Sequence, residues 1–479
     1  MKLNTIKLGA ACALIYWATA CFYIPKAVAQ ATRESVAASF YASPPFATGG
    51  KTTAPIPEPA LLNAGNPLVK QGQYLARAGD CIGCHSRPGG APFAGGLALQ
   101  TPFGVIVSTN ITPNKTGGIG QGIGNYTQAQ FNQLMREGIN AAGHNIYPAM
   151  PYASYARLSD ADLAALYAYF TLGLASVVQA NAKTNLPWPF SMRWLVKAWN
   201  WLYLPKPGYT ADVAHDPQWN RGAYLVQSLG HCGACHTPRN LAGAEKANNE
   251  KGATFLAGAV IDGWYAQSLR NGAESGGGLS GLTRWTQKDL VDYLSSGRNA
   301  HTAAFGAMAE VVGNSTQHMS PSDLTAIATY LKSLGDDATT GVAANERVAP
   351  TPPTISPTAL ALRSGEATLP GAMVYLNNCA GCHQSSAKGA SLAFPSLAQS
   401  STVAADNPTS LIRIVLQGAN MPGTAGAPSR LAMPGYDWRL SDANVADVLT
   451  FVRSNWGNRA TAVSTAEVAK VRKALAVKP

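Results

Sequence analysis

The sequence predicts an all-α chain made of three tandem copies of one helical unit joined by irregular linkers, and three observations lead to it. A Cys-x-x-Cys-His motif occurs three times, at Cys81–His85, Cys232–His236 and Cys379–His383, with 151 and 147 residues between successive first cysteines. A shared apolar signature precedes each motif: Gln71-Gly-Gln-Tyr74-Leu75, Arg221-Gly-Ala-Tyr224-Leu225 and Gly371-Ala-Met-Val-Tyr375-Leu376. After each motif come two further helical patterns with the same punctuation.

The elements of one unit follow in order. The opening helix carries the Tyr-Leu signature and runs into the motif loop. A middle helix ends in Gly-x-Asn at Gly138-Ile-Asn140, Gly297-Arg-Asn299 and Gly418-Ala-Asn420, because glycine past the last apolar position stops a helix. A closing helix starts on Ser159 with Asp162, Ser320 with Asp323 and Ser441 with Asn444, where the serine caps the first turn. Its apolar residues then recur at helical spacing (Leu163/Leu166/Tyr167/Phe170, Leu324/Ile327/Ala328/Leu331, Val445/Val448/Leu449/Val452), one buried stripe per helix.

With 479 residues the chain has room for roughly three domains of ~150 residues. Hydrophobic residues make up 46% and charged residues 13%, the balance of a chain that buries a core. Net charge is +11, and residues 1–29, which hold three lysines and no acid, account for three of it. The cations are dispersed rather than clustered, which argues against a nucleic-acid partner. A modest basic excess suits an acidic protein partner or an anionic membrane surface.

Lys2 and Lys7 precede an apolar run from Leu8 to Ala20, and Ala27-Val28-Ala29 offers the small residues of a cleavage site. Residues 1–29 therefore read as a signal peptide, with an uncleaved anchor helix as the alternative because Phe22-Tyr23-Ile24 prolongs the apolar stretch. Residues 30–66, rich in Ala, Thr and Pro, read as an extended arm. No later run of 18 apolar residues suggests a membrane span.

Two thiols separated by two residues can add to the two vinyl groups of one porphyrin, and the adjoining imidazole reaches the iron. A single copy could equally be a redox dithiol or half a zinc site. Three copies, each followed by His and together using every cysteine beyond Cys12 and Cys21, point to three covalently bound haem c groups. Cys81, Cys84, Cys232, Cys235, Cys379 and Cys382 would hold the porphyrins, and His85, His236 and His383 would be the proximal ligands.

For the sixth ligand the repeat favours methionine, since the third unit has no histidine besides His383. Met150 and Met308 lie twelve and eleven residues after the middle-helix glycine; in the third unit Met433 lies fifteen after it and Met421 only three. Met433 also precedes Leu440 by seven residues, as Met150 precedes Leu158 by eight. Met150, Met308 and Met433 are the expected axial ligands, with core filling as the ordinary alternative for methionine. Met319 reads as packing, and His144, His231, His301 and His318 as structural or supporting residues.

Residues 176–217 are a Trp-rich linker or docking helix carrying Trp188, Trp194, Trp199, Trp201 and Tyr203 with Arg193 and Lys197. A membrane interface suits that composition, as does burial between domains or against a partner. Residues 336–366, with four prolines, read as a linker that lets the third unit sit apart, and 458–479 as a C-terminal basic helix.

These motifs, with Ser108-Thr-Asn110-Ile-Thr-Pro113, Tyr147-Pro-Ala-Met150-Pro-Tyr152, Ser191-Met-Arg-Trp194, Trp219-Asn-Arg-Gly222-Ala-Tyr224-Leu225, Cys235-His236-Thr-Pro238-Arg and Ala432-Met433-Pro-Gly435, resemble the triheme cytochrome c subunit of periplasmic membrane-bound dehydrogenases. The resemblance spans nearly the whole mature chain. It implies three tandem class I cytochrome c domains, at 67–175, 218–335 and 367–457, and it agrees with Met150, Met308 and Met433 as ligands. It further implies an electron-transfer subunit with no substrate-oxidising site of its own, peripherally attached on the periplasmic side of the bacterial inner membrane. Its partners would be a catalytic flavoprotein dehydrogenase (for gluconate, glucose, fructose or sorbitol), a small chaperone-like subunit and ubiquinone. The Trp-Asn-Arg-Gly and Ser-Met-Arg-Trp stretches look closer to that branch than to the one serving PQQ-dependent alcohol dehydrogenase, which stays the alternative. A haem enzyme such as a peroxidase needs an open sixth position, which a methionine at each site opposes. A free periplasmic shuttle is opposed by the size and the Trp-rich helix.

Overall fold

A computed structural model describes residues 56–101, 103–118, 121–273, 279–335, 356–366 and 368–476. The expected leader, residues 30–55 of the arm and residues 336–355 of the linker lie outside the described residues. The first segment supplies helices α1 (Pro67–Ala78), α2 (Gln128–Glu137) and α3 (Asp160–Ala168), and α4 (Trp194–Tyr203) follows. The second supplies α5 (Pro217–Gln227), α6 (Gln287–Ser296) and α7 (Pro321–Lys332). Helix α8 (Pro357–Ser364) precedes the third segment's α9 (Ala372–Asn378), α10 (Thr409–Gln417) and α11 (Asp442–Ser454), and α12 (Thr465–Ala476) ends the described chain.

Local chemistry sets these boundaries. Asn66 and Asp216 accept hydrogen bonds from the first-turn amides of α1 and α5, each with proline at the first helical position, where a missing N–H costs nothing. Ser159, Ser320 and Ser441 cap α3, α7 and α11 in the same way. Gly138 and Gly297 end α2 and α6 at φ 64° and 77°, a left-handed turn that glycine adopts without steric cost.

Opening and closing helices pack on each other in all three segments. A Cβ on Gly72 would lie 2.0 Å from the Ala165 carbonyl oxygen, and one on Gly222 the same distance from that of Ala326. The crossing is therefore tight enough to exclude every other residue. Gly222→Ala is expected to destabilise the fold by ~1–3 kcal/mol, because the two helices must separate; a denaturant midpoint unchanged from wild type would refute the close approach.

The first two segments share one hydrophobic core, in which Leu75, Leu163 and Tyr169 adjoin Leu225, Leu324 and Tyr330. The contact is reciprocal. Tyr74 donates 2.5 Å to Asp323 and receives the amide of Ser320 at 3.2 Å, while Tyr224 donates 2.5 Å to Asp162 and receives the amide of Ser159 at 3.2 Å. The opening-helix tyrosine of each segment thus locks onto the closing-helix cap of the other. Arg221 adds a bidentate pair to Asp323 at 2.8 Å.

Burial works to raise the Asp323 carboxyl, but the hydrogen bonds from Arg221 and Tyr74 outweigh it and hold it below the usual carboxylate range. A carboxyl depressed on folding stabilises the native state above its unfolded value of ~3.9 and loses that contribution as the pH falls through the folded value. Asp323→Ala is expected to cost about 1–3 kcal/mol at neutral pH, since Arg221 and Tyr74 lose their shared acceptor. The deficit relative to wild type should shrink below about pH 4. Urea titrations at pH 7 and pH 3 check both statements, and a deficit equal at the two pH values would reject them.

The third segment has its own core, built from Leu362, Tyr375, Leu416, Val445, Leu449 and Phe451 with Val468 of α12. Its homologous tyrosine, Tyr375, donates to the Gln384 carbonyl of its own segment at 2.6 Å. At its closing-helix cap Asn444 stands where the others have aspartate, so no carboxylate is offered to a partner. Helix α8 lies inside the expected linker, buries Ala359 and seats Leu362 in this core. Arg472 of α12 pairs with Asp442 at 2.7 Å.

The third segment does not sit apart. Ser410, Thr402 and Arg413, all buried, bond Tyr265, Gln267 and the Asp262 carbonyl of the second segment. Arg298 of the second segment bonds the carbonyls of Leu392 and Ser429. Proline content alone implied a spacer, whereas these buried polar groups are satisfied only by contact.

The fold is mostly helical, with four two-stranded antiparallel ribbons among the described residues, such as Ala98–Thr101 with Gly104–Val107 and Ala259–Ile261 with Trp264–Ala266. Both of these lie between a motif and a middle helix, where pairing satisfies backbone groups that no helix serves. They qualify the all-α expectation.

Candidate functional site

Each Cys-x-x-Cys-His motif sits on one short helical turn after an opening helix: Cys81–His85, Gly233–His236 just past Cys232, and Ala380–His383 just past Cys379. The turn carries the second cysteine three positions and the histidine four positions after the first cysteine. None of the six motif cysteines is joined in a disulfide.

Burial pushes Cys81, Cys232 and Cys379 up to about 12. Reactive dithiols and zinc thiolates need the opposite shift. Among the described residues, no group of three His, Cys, Asp or Glu side chains converges as a metal site would require.

The imidazoles share one geometry. His85 Nδ1 lies 2.7 Å from the Thr109 carbonyl, His236 Nδ1 2.6 Å from that of Gln267, and His383 Nδ1 2.9 Å from that of Pro395. A carbonyl only accepts, so Nδ1 carries the proton and donates, and Nε2 keeps its lone pair. Burial lowers all three histidines and the carbonyl bond only partly opposes it, so the rings are neutral near pH 7. A neutral imidazole oriented through its far nitrogen is what an iron ligand requires. Two thiols and such a ring, three times over, fit covalently attached haem.

The expected sixth ligands occupy three settings. Met150 is half-buried against the shared core, just ahead of a helical turn at Tyr152–Tyr155. Met308 is half-buried on helix Ala307–Asn314, against Ala304, Ala309 and Val312. Met433 is half-buried in a strand residue opposite Ala419. Met421 is buried and lines a narrow cleft with Arg298, Asn299 and Lys388 between the second and third segments. Met319 belongs to the shared core.

The remaining histidines have other partners. His231 Nε2 lies 3.3 Å from the Gly79 carbonyl, which sets the first and second motif loops against each other. His301 faces Asp289 at 3.3 Å and stacks near Trp285. Burial lowers His318. The acceptors Thr109, Gln267 and Pro395 escaped the sequence reading because they act through backbone carbonyls, which leave no residue signature.

Helix α4 divides into two faces. Val196, Trp199, Asn200 and Tyr203 turn inward: Trp199 donates to the Ala242 carbonyl at 3.0 Å, and Asn200 meets Tyr152 at 2.7 Å and the Glu137 carbonyl at 2.8 Å. Trp194, Lys197, Trp201 and Leu202 face out, with Trp194 64% and Trp201 84% exposed. Among the described residues no helix is long and apolar enough to cross a membrane.

The family model for cytochrome c matches residues 69–171 and 369–456. The chain is 48% identical over 418 residues to the gluconate 2-dehydrogenase cytochrome c subunit of Pantoea cypripedii, covering 86% of this chain and 90% of that protein. It is 44% identical over 425 residues to the cytochrome c subunit of the alcohol dehydrogenase (quinone) of Gluconobacter oxydans, covering 86% and 83%. With the fructose dehydrogenase cytochrome subunit of Gluconobacter japonicus the identity is 39% over 432 residues, covering 87% and 85%.

Proposed function

The chain belongs to the family of cytochrome c subunits of dehydrogenase complexes, and from that premise we propose that it carries three haem c groups and relays electrons from a flavin-dependent sugar, sugar-acid or polyol dehydrogenase subunit to ubiquinone. The observation that carries the reading is the histidine-to-carbonyl bond repeated at all three motifs. Bound haem iron supplies reversible one-electron exchange. The chain's own part is to hold each porphyrin through Cys81/Cys84, Cys232/Cys235 and Cys379/Cys382, and to fix His85, His236 and His383 by their Nδ1–H bonds. Met150, Met308 and Met433 would supply thioether ligands, which favour the reduced iron. Substrate oxidation falls to the partner, with a small chaperone-like subunit in the assembly. The 44% identity to an alcohol dehydrogenase (quinone) subunit keeps a PQQ-dependent partner as the second reading.

Purification from the native membrane tests this. The chain should arrive with a larger flavin-containing subunit, give three haems per polypeptide by its alkaline pyridine spectrum, and reduce a ubiquinone analogue when the complex receives substrate. High-spin ferric iron that binds cyanide readily, in a chain purifying alone, would replace this reading with that of a haem enzyme.

The reading includes export through residues 1–29 and peripheral attachment to the periplasmic side of the inner membrane. The outward face of α4 suits that surface: between Asp162 and Asp212 the sequence carries Lys183, Arg193, Lys197 and Lys206 and no acid. Exposed tryptophans on a stretch whose charged residues are all cations match the interface of an anionic bilayer. The Trp194→Ser/Trp201→Ser variant is expected to lose most of the wild-type binding to phosphatidylcholine vesicles containing phosphatidylglycerol, while keeping its haem content. Undiminished vesicle binding, together with loss of the dehydrogenase subunit, would assign the face to the partner instead.

A further inference from the structure

We propose that the third segment tunes the haem site of the second by gripping the strand that holds the axial histidine, with Thr402 and Ser410 as positioning residues. The inference rests on the three-haem reading and goes beyond it. The acceptor of His236 Nδ1–H is the Gln267 carbonyl at 2.6 Å, and Gln267 follows directly on strand Trp264–Ala266.

That strand is held from the far side. The Tyr265 amide donates to Ser410 Oγ at 2.8 Å, and Ser410 Oγ donates back to the Tyr265 carbonyl at 3.1 Å. The side-chain amide of Gln267 donates to Thr402 Oγ1 at 2.5 Å. Arg413 lies over the Trp264 ring at 4.2 Å and bonds the Asp262 carbonyl at 2.7 Å. Ser410, Thr402 and Arg413 are 4%, 9% and 4% exposed, so these bonds work where water does not compete.

The other two acceptors are secured nearer home. Beside Thr109, the Asn110 amide bonds Asn181 and its side chain bonds the Val177 carbonyl, within the first segment and the linker after it. Beside Pro395, Phe394 and Leu397 bond the Ala390 and Ala387 carbonyls within the third segment. Arg298 of the second segment reaches the third motif's loop at the Leu392 carbonyl, three residues from Pro395, whereas Thr402 bonds the second motif's acceptor residue, Gln267, itself.

Strengthening the Nδ1–H···O bond raises the basicity of the ligating nitrogen, which favours oxidised iron and lowers the potential. Thr402 and Ser410 therefore hold the second site at a lower potential than its ligands alone would give. Loosening the grip frees the carbonyl to recoil from His236, and the potential of that site rises.

A redox titration of the haem-loaded full chain tests this. In Thr402→Val, and more strongly in Thr402→Val/Ser410→Ala, one of three waves should move to higher potential while the other two stay. It should be the same wave that Met308→Ala lowers. Thr402→Ser, which keeps the hydroxyl, should restore the wild-type value. Three haems per chain with no wave moved, or with all three moved together, overturns the inference and leaves the three-haem reading standing. Fewer than three haems in the wild-type chain overturns that reading, and the inference with it. If the double variant does not fold, the pair Thr402→Val and Thr402→Ser decides alone.

Discussion

On the three-haem reading, the double variant Cys232→Ala/Cys235→Ala is expected to carry two porphyrins instead of three and to lose the fold of the second segment. Both covalent tethers to that porphyrin are then gone, and His236 by itself gives only a reversible bond. The effect reaches further than the motif, because the first two segments bury their apolar side chains in one cluster that includes Cys81 and Cys232 themselves. Leu225, Leu229 and Leu331 would lose their packing together with Leu75 and Leu163. The third segment, with a core of its own around Tyr375 and Phe451, should keep its structure. Haem absorbance per chain should fall to about two-thirds in the alkaline pyridine spectrum, since each motif holds one group. Limited proteolysis should cut within residues 67–335 while a fragment containing residues 368–476 survives. Full haem content, or haem released from the wild-type chain into acidified organic solvent, would overturn the assignment of these cysteines.

Removing the thioether of Met308 is expected to lower one midpoint potential by on the order of 100 mV, within the span of ~0.8 V that axial ligands command. Met308→Ala leaves Cys232, Cys235 and His236 in place, so the haem count should not change. It also deletes apolar contacts with Ala304, Ala309 and Val312, which alone would lower stability without moving a potential. Met319→Ala is the control: Met319 is buried in the shared core, and its loss should destabilise the chain and leave the three potentials alone. A spectroelectrochemical titration identical to wild type would remove Met308 from the ligand set.

What was legible in the sequence was short in range. The glycine stops at Gly138 and Gly297 and the serine caps at Ser159, Ser320 and Ser441 each depend on neighbours within a turn, and the structure places them as the pattern implied. The three motifs were legible because their spacing is chemical. The reciprocal locks were half visible: Tyr74, Tyr224, Asp162 and Asp323 all belong to the repeat, but nothing local says that each tyrosine serves the other segment's cap. With hindsight Asn444 was the signal, because an amide where its counterparts are carboxylates marks the segment left out of the exchange. The seat of the third segment was illegible for another reason. Ser410, Thr402 and Arg413 are ordinary polar residues in sequence, and only tertiary contact distinguishes them from solvated ones.

The exchanged tyrosines have one more consequence. A contact in which each half offers the other an equivalent patch is how two copies of a chain form a dimer about a two-fold axis. Here both copies lie on a single polypeptide, joined through residues 176–217. Each therefore meets the other at an effective concentration on the order of millimolar, fixed by the tether. Dilution cannot separate them. Whatever passes between the first and second motif loops waits on no collision, whereas a catalytic subunit arriving from outside must still obey mass action.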